Sequence, residues 1–283
     1  TEITKYNNPT KLFDSYYEGK KLGEIWGYHV PKLFDTDEEA AAYQVAINNS
    51  SNVYQRVYNM QNNLGRLMAG DVMFEDRDGS GSIGTGAGAV DDPGDMMIIG
   101  NTTPRYSYSF RIEASWNGFD ISAFFQGVGK RDYYFNAYGG QGAGEKGAAF
   151  WGATVGGRWE SLFFDEHLDY WRDDTSLLGE NYDAYYARPL YFTNKNRETQ
   201  TRYLQDGSYL RLKNLQIGYT FPAGLMKKIY IQNLRIFFTA ENLHTWTKMT
   251  KVIDPESLEV SKMKAGGSYP LSRTFAFGLS VTL

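Results

Sequence analysis

The chain has no cysteine, which excludes disulfide staples, thiol nucleophiles and cysteine-ligated zinc. Histidine is scarce: His29, His167 and His244 are the whole set, spaced too widely for a metal or triad pattern, so each reads as a hydrogen-bonding residue of a loop or strand end. No Lys/Arg run occurs, and a formal net charge of −4 with a pI near 5.5 leaves nucleic acid no electrostatic footprint. No run of about 18 apolar residues exists from which a membrane-spanning helix could be built. The opening TEITKYNNPT carries neither an initiator Met nor a basic and apolar leader, and reads as the start of a processed or truncated piece. At 283 residues the chain is long enough for one large domain or two ordinary ones.

Aromatics are what the sequence has in excess. Tyr 22, Phe 17 and Trp 6 make 16% of the chain while mean hydropathy stays at −0.49; alternating strands ringed by aromatic girdles produce both values at once. The C-terminal RTFAFGLSVTL alternates without a break. Phe275, Phe277, Leu279, Val281 and Leu283 fall on one face, and Thr274, Ala276, Gly278, Ser280 and Thr282 on the other. From Pro104 the same period appears: Tyr106, Tyr108, Phe110, Ile112, Ala114 and Trp116 oppose Arg105, Ser107, Ser109, Arg111, Glu113 and Ser115. Asn117 and Gly118 then supply a two-residue hairpin turn into Phe119, Ile121, Ala123 and Phe125. Further strands are predicted in SYLRLKNLQIGYTF, ended by Pro222 and Gly224, and in IQNLRIFFTAENL, with a loop from His244 to Ser272. Near the start, KLGEIWGY (21–28) is strand-like, and Thr36 or Asp35 caps a short helix through Asp37, Glu38, Glu39 and Ala40 to Tyr43. Residues 48–63 read as a solvated loop.

The connections between strands run long, two residues, very long, short and medium. Transmembrane barrels have that order, with short periplasmic turns and long extracellular loops, whereas a soluble Greek-key sandwich gives no reason for it. The expected fold is therefore all-β, an antiparallel transmembrane β-barrel segment. About six or seven strands can be counted, and the smallest barrels need about eight, so closure requires strands from elsewhere. Tyr106, Phe110, Phe119, Phe238 and Phe277 are expected to meet lipid, and Arg111, Glu113, Arg235 and Glu241 to face the lumen.

Eight blocks, in order, resemble the SusC/RagA-type TonB-dependent outer-membrane transporters of Bacteroidetes: YYEGKKLGEIWGY (16–28), GDVMFEDRDGSGSI (70–83), IGNTTPRYSYSF (99–110), GFDISAFFQGVGKRD (118–132), HLDYW (167–171), TRYLQDGSYLRLKNLQIGYTFP (201–222), LRIFFTAENLHTWTK (234–248) and YPLSRTFAFGLSVTL (269–283). The resemblance implies that residues 1–283 are the C-terminal portion of a barrel of roughly 22 strands, with the plug and the first strands absent. It also implies import of oligosaccharides or peptides across the cell outer membrane, a SusD-like surface lipoprotein as lid, and TonB–ExbB–ExbD acting through the missing N-terminal part. Leu283 stands where many members end in an aromatic residue. The alternatives are a soluble or surface β-sandwich module for glycan binding or adhesion without transport, and a surface hydrolase. The adjacent Asp173 and Asp174 suit a solvated loop better than a glycosidase pair.

Asp76, Asp78, Ser80 and Ser82 in DRDGSGSI resemble the first half of a calcium loop, with Gly81 at the sharp turn. Position twelve is Ala87, which has no carboxylate, while Asp91, Asp92 and Asp95 follow; the plain alternative is a surface turn held by Asx hydrogen bonds. GAGEKG (142–147) matches a dinucleotide-loop spacing, yet no strand precedes it and no helix follows. The longest connection is crowded with Tyr133, Tyr134, Trp151, Trp159, Tyr170, Trp171, Tyr182, Tyr185 and Tyr186. Such rings either face a sugar or a protein partner or pack the loop on itself as a compact lid.

Overall fold

A computed structural model describes residues 1–47, 66–134, 165–189, 196, 198–251, 253–258 and 271–283. The chain forms two compact units, one of residues 1–103, 133–204 and 259–267, the other of 104–132, 205–258 and 268–283.

Regular structure is sparse in the first unit. Strand β1 (Glu24–Tyr28) pairs antiparallel with β2 (Met96–Asn101), with a register slip between Ile25 and Trp26. Helix α1 (Asp37–Ala46) begins where its capping chemistry puts it: the Thr36 hydroxyl accepts from the Glu39 N–H at 3.1 Å, the Glu39 carboxylate accepts from the Asp35 N–H at 2.9 Å, and three acids fill the first turn. Ala40 is buried in a core with Tyr28, Phe34, Leu67, Val72, Phe74 and Ile83. Asp71 is fully buried, and its carboxylate accepts from the Met68 N–H at 2.9 Å and from Asn196 Nδ2 at 3.0 Å. Asn196 Oδ1 in turn accepts from the Val72 N–H at 3.0 Å. Side chains thus satisfy the buried backbone of an irregular unit where ladders do not.

The second unit is an antiparallel sheet of five strands in sequence order: β3 (Tyr106–Trp116), β4 (Phe119–Gly129), β5 (Tyr209–Thr220), β6 (Asn233–Thr247) and β7 (Thr274–Thr282). Trp116 pairs with Phe119 across Asn117 (φ 47°) and Gly118 (φ 86°), the positive pair that a tight hairpin requires. The short connection from β5 to β6 contains one helical turn, α2 (Ala223–Met226), continued by a 3₁₀ turn at Lys227–Ile229. Strand β6 runs through His244 to Thr247, so the loop expected from His244 starts later. The cause is a bulge: Leu212 pairs with His244 and Asn214 with Glu241, and Asn242 sits at φ 51°. The irregularity resets the alternation, so Leu210, Leu212, His244 and Trp246 continue the face of Leu215, Ile217, Tyr219, Ile236 and Phe238.

Pairing places both short turns at one end of the sheet and both long connections, 130–208 and 248–273, at the other. One face is apolar and exposed, with Phe110 44%, Ile112 56%, Phe119 55%, Phe275 56% and Phe277 85% accessible. The other carries Arg111, Glu113, Asp120, Gln216, Arg235, Thr239 and Glu241. Among the described residues β3 and β7 each have one hydrogen-bonded neighbour, so the sheet is open at both edges.

On the polar face Arg235 of β6 reaches across β5 to Asp120 of β4, with Nη2 to Oδ2 at 2.6 Å and Nε to Oδ1 at 3.2 Å. Gly218 makes this crossing sterically open, since a Cβ there would lie 2.5 Å from Arg235 Nη2 and 2.6 Å from Asp120 Oδ1. Gly218→Ala should push the tips of Arg235 and Asp120 apart and cost about 0.2–1 kcal/mol, the worth of a part-exposed ion pair. Gly224→Ala, in α2 with nothing within 4 Å of the new methyl, should leave stability unchanged or raise it slightly; denaturant unfolding of the two variants side by side measures the difference.

Candidate functional site

The acidic loop folds around its own backbone. Asp76 Oδ2 accepts from the Gly81 N–H at 2.9 Å and Asp78 Oδ1 from the Ser80 N–H at 2.8 Å, with Gly79 at φ 70° and Gly81 at φ 72°, a turn that residues with a Cβ resist. A third carboxylate joins from just before β2. Asp95 is fully buried; its Oδ1 accepts from the Arg77 N–H at 2.7 Å and its Oδ2 from the Gly84 N–H at 2.7 Å. Oxygens of Asp76, Asp78 and Asp95 lie within 4.8 Å of one another. Asp76 Oδ1 is buried there without a hydrogen-bond partner.

The electrostatics differ within this group. Hydrogen bonds from Ser80 hold Asp78 below the usual carboxylate range. Burial pushes Asp95 up, against the lowering effect of its backbone donors. A hard cation bound by oxygens fits such a set, through Asp76, Asp78 and Asp95. Ser80 and Ser82 turn to each other instead, Ser80 Oγ donating to the Ser82 carbonyl at 3.0 Å. Asp95 lies beyond the spacing of any calcium loop, and the one signal for it was a further acid downstream of a partial motif.

The two-faced sheet is the other candidate surface. Near the long-loop end, Arg211 of β5 is almost fully buried on the polar face and binds Asp254 at 2.5 Å and Glu256 at 2.8 Å, while Lys213 binds Glu256 at 2.9 Å. These contacts fold the start of the β6–β7 connection back onto the strands. Aromatic rings collect on the apolar face at both ends: Trp116, Phe119 and Tyr219 by the short turns, Tyr106, Tyr108 and Trp246 by the long loops.

No protein family model matches the chain. TonB-dependent receptor P3 of Formosa agariphila is 30% identical over 231 residues, covering 75% of this chain and 19% of that protein. The chain belongs to the TonB-dependent receptors. TonB-dependent receptor P26 of the same organism is 26% identical over 234 residues, covering 76% of this chain and 20% of the relative, so the chain spans about a fifth of the length of these curated relatives. Among solved structures, the RagAB peptide importer in the open-open state superposes with a TM-score of 0.55 at 19% identity, over 100% of this chain and 25% of that one. The RagAB peptide transporter gives 0.50 at 18% identity, over 94% and 23%.

In this receptor chain the aromatic connection is divided. Trp151 and Trp159, like GAGEKG, lie outside the described residues. Trp171 is buried in the core of the first unit, close enough to Gly70 that a Cβ there would lie 2.3 Å from the indole, which is the inward packing that the sequence left open beside a partner-facing role. Tyr185 is half-buried, donates to the Arg202 carbonyl at 2.9 Å and stacks edge-on with Tyr186 and Tyr203. Tyr170 is half-buried under the Arg172 guanidinium. Tyr182 is exposed, beside a loop tip where Leu177 is wholly accessible. His167 is buried edge-on to Tyr186, and His244 stacks edge-on with Trp246.

Asp95→Asn removes one of the two acceptor oxygens that hold the loop and should cost about 1–3 kcal/mol. Because the Asp95 carboxyl is raised, its neutral form favours the fold: its contribution is full below the ordinary carboxylate range and declines as pH rises through its own value. In metal-free buffer the stability difference between the native protein and D95N should shrink as pH rises above the ordinary carboxylate range, as followed by thermal unfolding.

Proposed function

We propose that the chain is the C-terminal portion of the barrel of an outer-membrane TonB-dependent nutrient importer. The supporting observation is the five-stranded sheet, apolar and bare on one face, charged on the other and open at both edges. Its strands, of 9 to 15 residues, have the length a tilted membrane strand needs. In a barrel of roughly 22 strands the apolar face meets lipid, the polar face lines the lumen, and β3 and β7 pair with strands from the remainder of the receptor. The short turns then lie in the periplasm and the long connections outside the cell.

The cargo class is oligosaccharides or peptides, with the plug, TonB and ExbB–ExbD supplied through the rest of the parent protein. A SusD-like lipoprotein is the partner on the extracellular side, and Tyr182 with Leu177 is the part of the aromatic connection exposed to meet it. Asp76, Asp78 and Asp95 hold a calcium ion that braces the loop; the bare Asp76 Oδ1 supports that assignment.

Three measurements test these statements. The intact receptor should fractionate with the outer membrane and need detergent. Phe277→Arg, on the lipid face of β7, should destabilise it by about 2–4 kcal/mol. A protein that is soluble without detergent and indifferent to this change, as an 85% exposed residue in water would be, identifies a surface sandwich instead. Calcium should raise the unfolding temperature of the native receptor and leave Asp76→Asn unmoved, while no response of the native protein removes the cation.

A further inference from the structure

The apolar face is interrupted at the long-loop end of the sheet by a shallow cleft of about 610 Å³. Tyr106 and Tyr108 at the start of β3 and Trp246 at the end of β6 line it. The two tyrosine rings lie low because the facing strand residues are glycines: a Cβ on Gly129 would come within 2.1 Å of the Tyr106 ring, and one on Gly127 within 2.5 Å of Tyr108. The rings present flat surfaces, with Tyr106 53% and Trp246 47% accessible.

The border of the cleft has a different chemistry. Lys130 follows the last residue of β4 and Lys248 the last residue of β6, and both line the cleft. Both are exposed, and among the described residues neither ammonium has a hydrogen-bond or ion-pair partner. The cleft's carboxylate, Asp206, accepts from the Ser208 N–H at 3.0 Å, and the two lysines border the same cleft as the rings of Tyr106 and Trp246. Below them the surface becomes purely apolar at Phe110, Ile112 and Phe125.

We propose that this cleft binds the phosphorylated sugar headgroup of an outer-leaflet glycolipid, phosphates on Lys130 and Lys248, sugar rings on Tyr106 and Trp246, acyl chains along the apolar strands. The assignment rests on the outer-membrane barrel proposed above, which sets the cleft on the lipid side at the extracellular boundary. Charge complementarity selects the ligand. Phosphate is recognised by ammonium groups, flat rings stack on sugar faces, and acyl chains require apolar surface directly beneath the headgroup. A neutral lipid would leave both lysines unused.

The test uses the intact receptor in detergent, with bisphosphorylated lipid A as the probe and retention read by native mass spectrometry. The double variant Lys130→Gln/Lys248→Gln should bind roughly tenfold more weakly, and lipid A stripped of its phosphates should bind the native receptor as weakly. Lys227→Gln/Lys228→Gln, at the opposite end of the sheet, should bind as the native receptor does. Unchanged binding by the first variant, equal binding of the dephosphorylated lipid, or an equal loss in the second variant overturns the proposal. Detergent requirement and outer-membrane fractionation are scored first: if they fail, the barrel assignment fails and this one with it. If they hold while lipid A binding is insensitive to Lys130 and Lys248, the cleft assignment alone is wrong.

Discussion

An unpaired strand edge presents a row of N–H and C=O groups that must find partners, and in hydrocarbon it can find none but another strand. In the proposed barrel that requirement falls on the second unit. Its apolar face is bare, and among the described residues β3 and β7 each carry an open edge. A soluble protein blunts such edges with charges, prolines or a covering element. The final strand has neither of the first two: Thr274 to Thr282 contains no charge and no proline, which suits an edge that is to be paired along its whole length.

The polar face is organised by contacts that cross strands. Arg235 ties β6 to β4 over Gly218, and its guanidinium also lies 5.0 Å from the ring centre of Phe237. Phe237 in turn lies over Gly278 of β7, where a Cβ would be 2.0 Å from the ring. A chain of contacts thus runs from β4 to β7 on one side of the sheet, with glycines giving the larger side chains room to lie down. The same device, used on the opposite face with Tyr106 and Tyr108, is what keeps the aromatic belt low.

Much of this was legible in the sequence because a half-buried or two-faced strand writes its period into the residues. The 106–125 hairpin, its turn at Asn117–Gly118, β5 and β7 could all be read from alternation alone, and α1 from Thr36 and the acids after it. The continuation of β6 past Leu243 could not, because the bulge at Asn242 breaks the period where the strand continues. Strand β2 was invisible for the opposite reason: Met96, Met97, Ile98 and Ile99 are apolar in succession and carry no alternation. Site residues were harder still. Trp171 is an aromatic in a loop-rich stretch whether it packs inward or faces a partner, and Asp95 joins Asp76 and Asp78 through folding rather than spacing.

The ion network of Arg211 and Lys213 with Asp254 and Glu256 has a consequence for the segment it holds. Residues 254–256 are moored to the polar face of β5 by charges, so they move with the sheet and not as a free loop. Lifting them means pulling two carboxylates off a guanidinium that water barely reaches, a step with a steep energetic threshold.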